Sequence, residues 1–149
     1  MTTGKDIARG LKIAYALMHR QTQSLLLNHD MTADQYVLLA LLCVEDGITQ
    51  NELTARAASD PNTIRAMLVL LEGKGLVVRR SHETDRRARN VVITAKGRRL
   101  YTKLAKVLKP LQDALLSPFD EQEAKRLTEY FQRIAAAMRQ WELERSTCM

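Results

Sequence analysis

Apolar residues recur at helical spacing through most of the chain, and polar residues with a capping function mark where each run begins. Ile7, Leu11, Ala14, Met18 and Leu25 form a four-three stripe, widened by Ile13 and Leu17, that predicts a first helix over residues 5–28. Thr32-Ala33-Asp34-Gln35 has the capping-box pattern and opens a second helix. That helix is apolar on most sides, from Tyr36 to Val44, which predicts a central position, and Glu45-Asp46-Gly47 breaks it. Thr49-Gln50-Asn51-Glu52 repeats the box and opens a short helix carrying Leu53 and Ala57. Asp60-Pro61 then supplies an N-cap and a proline at the first helical position, where the missing N–H would be unpaired anyway. Ile64, Met67, Leu68 and Leu71 give this fourth helix its buried stripe, and Gly73-Lys74-Gly75 suits its exit.

The period then changes. Leu76 to Arg80 and Asn90 to Ile93 are β-rich runs flanking the charged segment from His82 to Arg89, which reads as a hairpin with a long basic tip. Thr94 is placed to cap a fifth helix through Lys96, Arg98 and Arg99, where cations oppose the helix macrodipole, so phosphate contact is the expected reason for them. Leu100, Leu104, Val107, Leu111 and Leu115 continue it, with a kink expected at Pro110 and a stop at Ser117-Pro118. A last helix starts at Asp120 to Glu123 and carries Leu127, Phe131, Ile134, Met138 and Trp141 at four-three spacing. The first helix and the last two therefore bear apolar seams for which a chain this size has little spare core. Association of two copies is the economical inference.

Two short helices joined by a few residues, the second opening with small polar side chains, make a helix-turn-helix, and the hairpin makes it a winged one. The predicted fold class is mainly α with a small β-hairpin wing. Residues 31–96 form the DNA-binding winged helix-turn-helix. Residues 1–30 and 97–149 form a helical dimerisation region, all within a single structural domain. The candidate DNA contacts are Gln50 at the start of the preceding helix, Pro61, Asn62, Thr63, Arg65 and Ala66 near the groove, and Arg79, His82, Asp85, Arg86, Arg87 and Arg89 of the hairpin. Charge agrees with this assignment. The net charge is +6, yet residues 74–109 hold 12 Lys and Arg against 2 Asp and Glu, so the positive charge is concentrated in the hairpin and the helix after it.

Other chemistries find little support. No glycine-rich phosphate loop or nucleophile elbow is present, which argues against an enzyme, and no cofactor is expected. His19, His29 and His82 are scattered without metal-ligand spacing, so no metal is expected either. Cys43 reads as a small core residue and Cys148 as an incidental terminal thiol, not a disulfide framework. Charges at Lys5, Asp6 and Arg9 speak against a signal peptide, the longest apolar run is too short for a bilayer, and a cytoplasmic location without membrane contact is expected.

Thr32 to Leu42, Gly47 to Ala57, and above all Lys74-Gly75-Leu76-Val77 through Asp85-Arg86-Arg87-Ala88-Arg89 to Ile93-Thr94-Ala95-Lys96-Gly97 resemble the multiple-antibiotic-resistance regulator (MarR) family. The resemblance covers essentially the whole chain, and its sharpest part is Asp-Arg-Arg followed by Ile-Thr-x-x-Gly. It implies a triangular homodimer with one winged helix-turn-helix per subunit and interlocked first and last helices. It further implies a repressor released from DNA by a small aromatic or anionic effector. By position, Arg87 resembles the wing arginine that enters the minor groove, with Asp85 orienting its guanidinium, and Asn62, Thr63 and Arg65 fall where family members touch the major groove. Ala66, Val69 and Leu70 depart from the polar or charged residues usual there, so fewer direct base contacts are expected, with more left to the wing and to DNA shape. No thiol occupies the first helix, where the redox-sensing branch of the family has one.

Tyr15, His19, Met31 and Tyr36 are the candidate lining of an effector cleft, although Met and Tyr at helical spacing also serve as plain core. The expectation is a homodimeric repressor on a pseudopalindromic duplex, released by a small molecule. The alternatives are a ligand-independent architectural DNA binder and a helical protein-interaction module, separated from it by a ligand-dependent fall in affinity and by sequence preference respectively.

Overall fold

The computed structural model describes residues 1–81, 84 and 89–148. It divides into two compact units, residues 1–109 and 110–149. In the first, helix α1 (Gly4–Leu26) is followed by a 3₁₀ turn (Leu27–His29), α2 (Ala33–Val44), strand β1 (Ile48–Thr49), α3 (Gln50–Arg56), α4 (Pro61–Gly73), β2 (Val77–Ser81), β3 (Arg89–Ile93) and the larger part of α5 (Ala95–Leu116), whose remaining residues from Pro110 onward belong to the second unit. The second unit holds α6 (Glu121–Thr147). The fold is mainly helical with a small antiparallel sheet, as the periodicity predicts.

The helix starts follow the capping residues. Thr32 and Gln35 form the full reciprocal box at α2, and Asp120 and Glu123 do the same at α6. Thr3 and Asp6 form a further box, so α1 begins one residue earlier than its apolar stripe suggests. At α3 the Thr49 hydroxyl oxygen accepts from the Glu52 N–H at 3.1 Å and donates to the Glu52 carboxylate at 3.1 Å. Two helices end in the same way. Ser59 N–H reaches Thr54 O and Ala58 N–H reaches Ala55 O, each at 3.1 Å; Leu76 N–H reaches Leu71 O at 3.0 Å and Gly75 N–H reaches Glu72 O at 2.9 Å. Each is a pair of bonds that closes a helix through a left-handed residue. Gly75 takes that role at φ 75°, but after α3 it falls to Ala58 at φ 50°, which has a Cβ to accommodate.

The sheet order is β1-β3-β2. In the hairpin Val77 faces Ile93 and Arg79 faces Val91; on the other side of β3, Ile48 pairs with Val91 and Thr49 with Asn90. Strand β1 is not legible in the sequence, because two residues carry no period. Its effect is large: it joins the start of the helix-turn-helix to the wing through one sheet.

The core of the first unit gathers Leu38, Leu39 and Leu42 of α2, Leu53 of α3, Ile64, Leu68 and Leu71 of α4, Val77, Val91 and Ile93 of the hairpin, and Leu104 and Leu108 of α5. The rotation of two helices differs from the predicted stripes. Leu26 is buried and Leu25 exposed on α1, and Leu108 is more deeply buried than Val107 on α5. Gly97 allows α5 to approach the hairpin. A Cβ there would lie 2.3 Å from Leu76 O and 2.8 Å from Ile93 Cγ1.

Candidate nucleic-acid interface

Helix α4 is presented by its cap and its core stripe. The Asp60 carboxylate accepts from the Thr63 N–H at 2.9 Å and from its hydroxyl at 2.6 Å, satisfying a donor that the first turn leaves free. Those hydrogen bonds, the hydroxyl's first, hold the Asp60 carboxyl below the usual carboxylate range. Ile64, Leu68 and Leu71 are sealed in the core, so Pro61, Asn62, Arg65 and Ala66 are all exposed. Thr63 is exposed as well, with its hydroxyl turned back to the cap. The start of the helix is therefore open to solvent.

The root of the wing is fastened to both helices through Arg79. Its Nη2 donates to Glu72 Oε1 at 3.2 Å, its backbone N–H donates to Glu72 Oε2 at 3.2 Å, and its Nη1 reaches Gln50 Oε1 at 3.4 Å. The guanidinium pulls the Glu72 carboxyl below its ordinary range, the side-chain hydrogen bond being the main cause. Gln50 and Arg79, both candidate DNA contacts, are thus brought together by contact with each other. Arg80 and Arg89 are exposed on the paired strands of the hairpin. His82, Asp85, Arg86 and Arg87 lie outside the described residues.

Two of the cations at the start of α5 have a tertiary reason that the sequence did not disclose. Lys96 Nζ donates to Lys74 O at 2.8 Å, closing a carbonyl at the end of α4. Arg98 Nη2 meets Asp46 Oδ2 at 3.1 Å. The other oxygen of Asp46 accepts from Gly47 N–H and Ile93 N–H, both at 2.9 Å, so this residue, read only as a helix breaker, ties the α2–β1 turn to the wing and to α5. Phosphate contact is therefore not needed to explain Lys96 and Arg98. Their charge opposes the helix dipole and is accepted for these bonds.

Among the described residues, Tyr15 and Met31 border two different hollows. Tyr15 and His19 stack at 5.4 Å, with the phenol oxygen 3.3 Å from His19 Nδ1. Tyr15 borders a hollow of about 210 Å³ with Asp34, Val37, Ala58, Thr63 and Met67. Met31 is buried and borders a separate hollow of about 260 Å³ beside Lys74 and Lys96. Tyr36 stacks on Tyr101, ring centres 5.6 Å apart. Cys43 is partly buried, and desolvation raises its thiol pKa. Among the described residues no group of three His, Cys, Asp or Glu could hold a metal ion, and no helix is long and apolar enough to cross a membrane.

A capped helix with an open N-terminal face, a preceding short helix and a β-hairpin fastened to both define the winged helix-turn-helix class. The MarR-family model matches residues 29–88, which contain both helices and the first strand of the hairpin. The chain is 34% identical over 110 residues to the HTH-type transcriptional regulator TtmR of Methylorubrum extorquens, a match spanning 68% of this chain and 56% of that protein. Its fold matches PcaV of Streptomyces coelicolor, solved with its natural ligand, at a TM-score of 0.75, with 25% identity over 92% of this chain and 94% of that one. It matches S. aureus MepR in its DNA-binding conformation at a TM-score of 0.80, with 22% identity over 89% and 98% of the two chains. This chain belongs to the MarR family. The relatives it matches are transcriptional regulators and not enzymes.

Proposed function

We propose that this protein is a DNA-binding transcriptional repressor that acts as a homodimer on a pseudopalindromic operator and is released by a small aromatic or anionic molecule. The observation that carries the DNA-binding part is the outer face of α4: its residues are exposed beside a hairpin bearing Arg80 and Arg89, while Arg79 holds the hairpin against α3 and α4. MepR, similar in fold, has been captured in a complex with DNA. On this reading Asn62 and Arg65 touch base edges in the major groove, and Arg87 with its neighbour Asp85 serves the minor groove.

Dimerisation is supported by apolar surface that each unit leaves uncovered. In α6 no residue is buried, and Phe131, Met138 and Trp141 are about half exposed; Ile7, Ile13 and Leu17 of α1 are likewise exposed. Exposed apolar side chains recurring along a helix in this way support an interface. Effector release rests on PcaV, whose structure holds its natural ligand, and on the hollow beside Tyr15, which is also bordered by Thr63 of α4. A molecule seated there would bear directly on the reading helix.

Sedimentation and operator binding test the reading together. The expected result is a dimer at micromolar concentration that protects two half-sites about one helical turn apart or a multiple of it. Removing residues 119–149 should abolish both. A monomer that still binds its operator tightly would overturn the dimeric mechanism.

A further inference from the structure

We propose that α4 reads thymine methyl groups in the major groove through an apolar outward ridge, Ala66 and Val69, continuing from Asn62. The inference rests on the DNA-binding role proposed above and specifies what that helix recognises. At roughly 100° per residue, the direction opposite the core stripe of Ile64, Leu68 and Leu71 is occupied by Asn62, Ala66, Val69 and Gly73. Nothing on this ridge is charged. Val69 is 52% exposed and its neighbour Leu70 54%, an apolar strip on a helix face that faces water in the isolated subunit.

Gly73, the last residue of α4, leaves the end of this ridge without a side chain, and a Cβ there would meet nothing within 4 Å among the described residues.

The geometry favours duplex DNA as the partner of this ridge. The ridge is one helix wide, which the major groove admits, and it continues from Asn62 and beside Arg65, whose side chains suit adenine and guanine edges. A second copy docked on this face would bring the exposed Arg65 side chains of both chains together. The chemistry is also coherent, because one A·T pair offers both an adenine edge for Asn62 and a C5-methyl for an apolar side chain. Ala66 and Val69 then carry sequence information where a polar helix would use hydrogen bonds.

The test uses the full-length protein and a duplex selected by it from a random library, with thymines of the half-site replaced singly by deoxyuridine. Uracil keeps the hydrogen-bonding edges and removes only the methyl group. Wild type should lose about fourfold in affinity for each contacted methyl. Val69→Ala, at an exposed position that tolerates alanine, should bind the thymine duplex more weakly and lose most of its discrimination against uracil at one base step. Equal wild-type binding to both duplexes, with sequence preference intact, overturns this inference alone. A uracil effect unchanged in Val69→Ala also overturns it, since the methyl would then act through DNA shape. Failure to select any sequence overturns the DNA-reading role as well.

Discussion

Replacing Arg79 by methionine separates two roles that the same residue could play. Methionine keeps an apolar stem of similar reach and removes the guanidinium fork. The fork joins the first residue of α3 and the last turn of α4 to β2, through contacts of 3.2 Å to Glu72 and 3.4 Å to Gln50. A buried charge-assisted bond contributes about 1.5–3 kcal/mol and an exposed ion pair under about 1. The Arg79 side chain is 16% exposed and that of Glu72 40%, and the contacts are long, so the lower part of this range applies. Arg79 Nε is buried and makes no hydrogen bond among the described residues, and removing it offsets part of the loss. The expected net destabilisation is about 1 kcal/mol. The loss should also depend on pH. Because Glu72 has a depressed pKa in the folded protein, its contribution is present above the ordinary glutamate pKa and disappears as pH falls through the folded value. Melting temperatures of wild type and Arg79→Met should therefore differ near neutrality and converge in acid. Operator affinity should fall about fivefold, as for 1 kcal/mol of lost preorganisation, with the log–log salt slope unchanged. A slope reduced by about 0.9 with no change in melting would show that Arg79 is a phosphate ligand and that its contacts to Glu72 and Gln50 are of no consequence.

Three further outcomes follow from local geometry. Gly97→Ala should cost about 3 kcal/mol or more in denaturant unfolding, because the new methyl meets the Leu76 carbonyl at 2.3 Å; an unchanged midpoint would show that α5 can move off the hairpin freely. Ala58→Gly should raise stability by about 0.5–1 kcal/mol, the relief of a left-handed alanine less the entropy of an added glycine, and a lower melting temperature would contradict the turn geometry. Asp60→Ala should lower the melting temperature at neutral pH, and the difference should vanish in acid, because the carboxyl's depressed pKa makes its contribution present above the ordinary aspartate value and lost below the folded one. A difference that persists in acid would mean that the charge of the cap is immaterial.

Much of the fold is written locally. Thr32 with Gln35, Asp60 with Pro61 and Asp120 with Glu123 start helices because the groups they satisfy lie within three residues, so sequence alone sets those boundaries. The hairpin strands and the outward position of Pro61, Asn62, Arg65 and Ala66 follow from periodicity in the same way. Periodicity gives a helix its stripe but not the few tens of degrees of rotation that neighbours select, which is why Leu26 and Leu108 are the deeply buried residues on their helices. Partners distant in sequence are not legible at all. Strand β1 exists because Ile48 finds Val91, Arg98 is anchored because Asp46 lies 52 residues earlier, and Arg79 is engaged because Glu72 and Gln50 converge on it. The charge segregation in the sequence gathers 12 Lys and Arg against 2 Asp and Glu within residues 74–109. Only the tertiary structure decided which of those cations are used internally, because a charged side chain's role depends on what folding places within hydrogen-bonding distance of it.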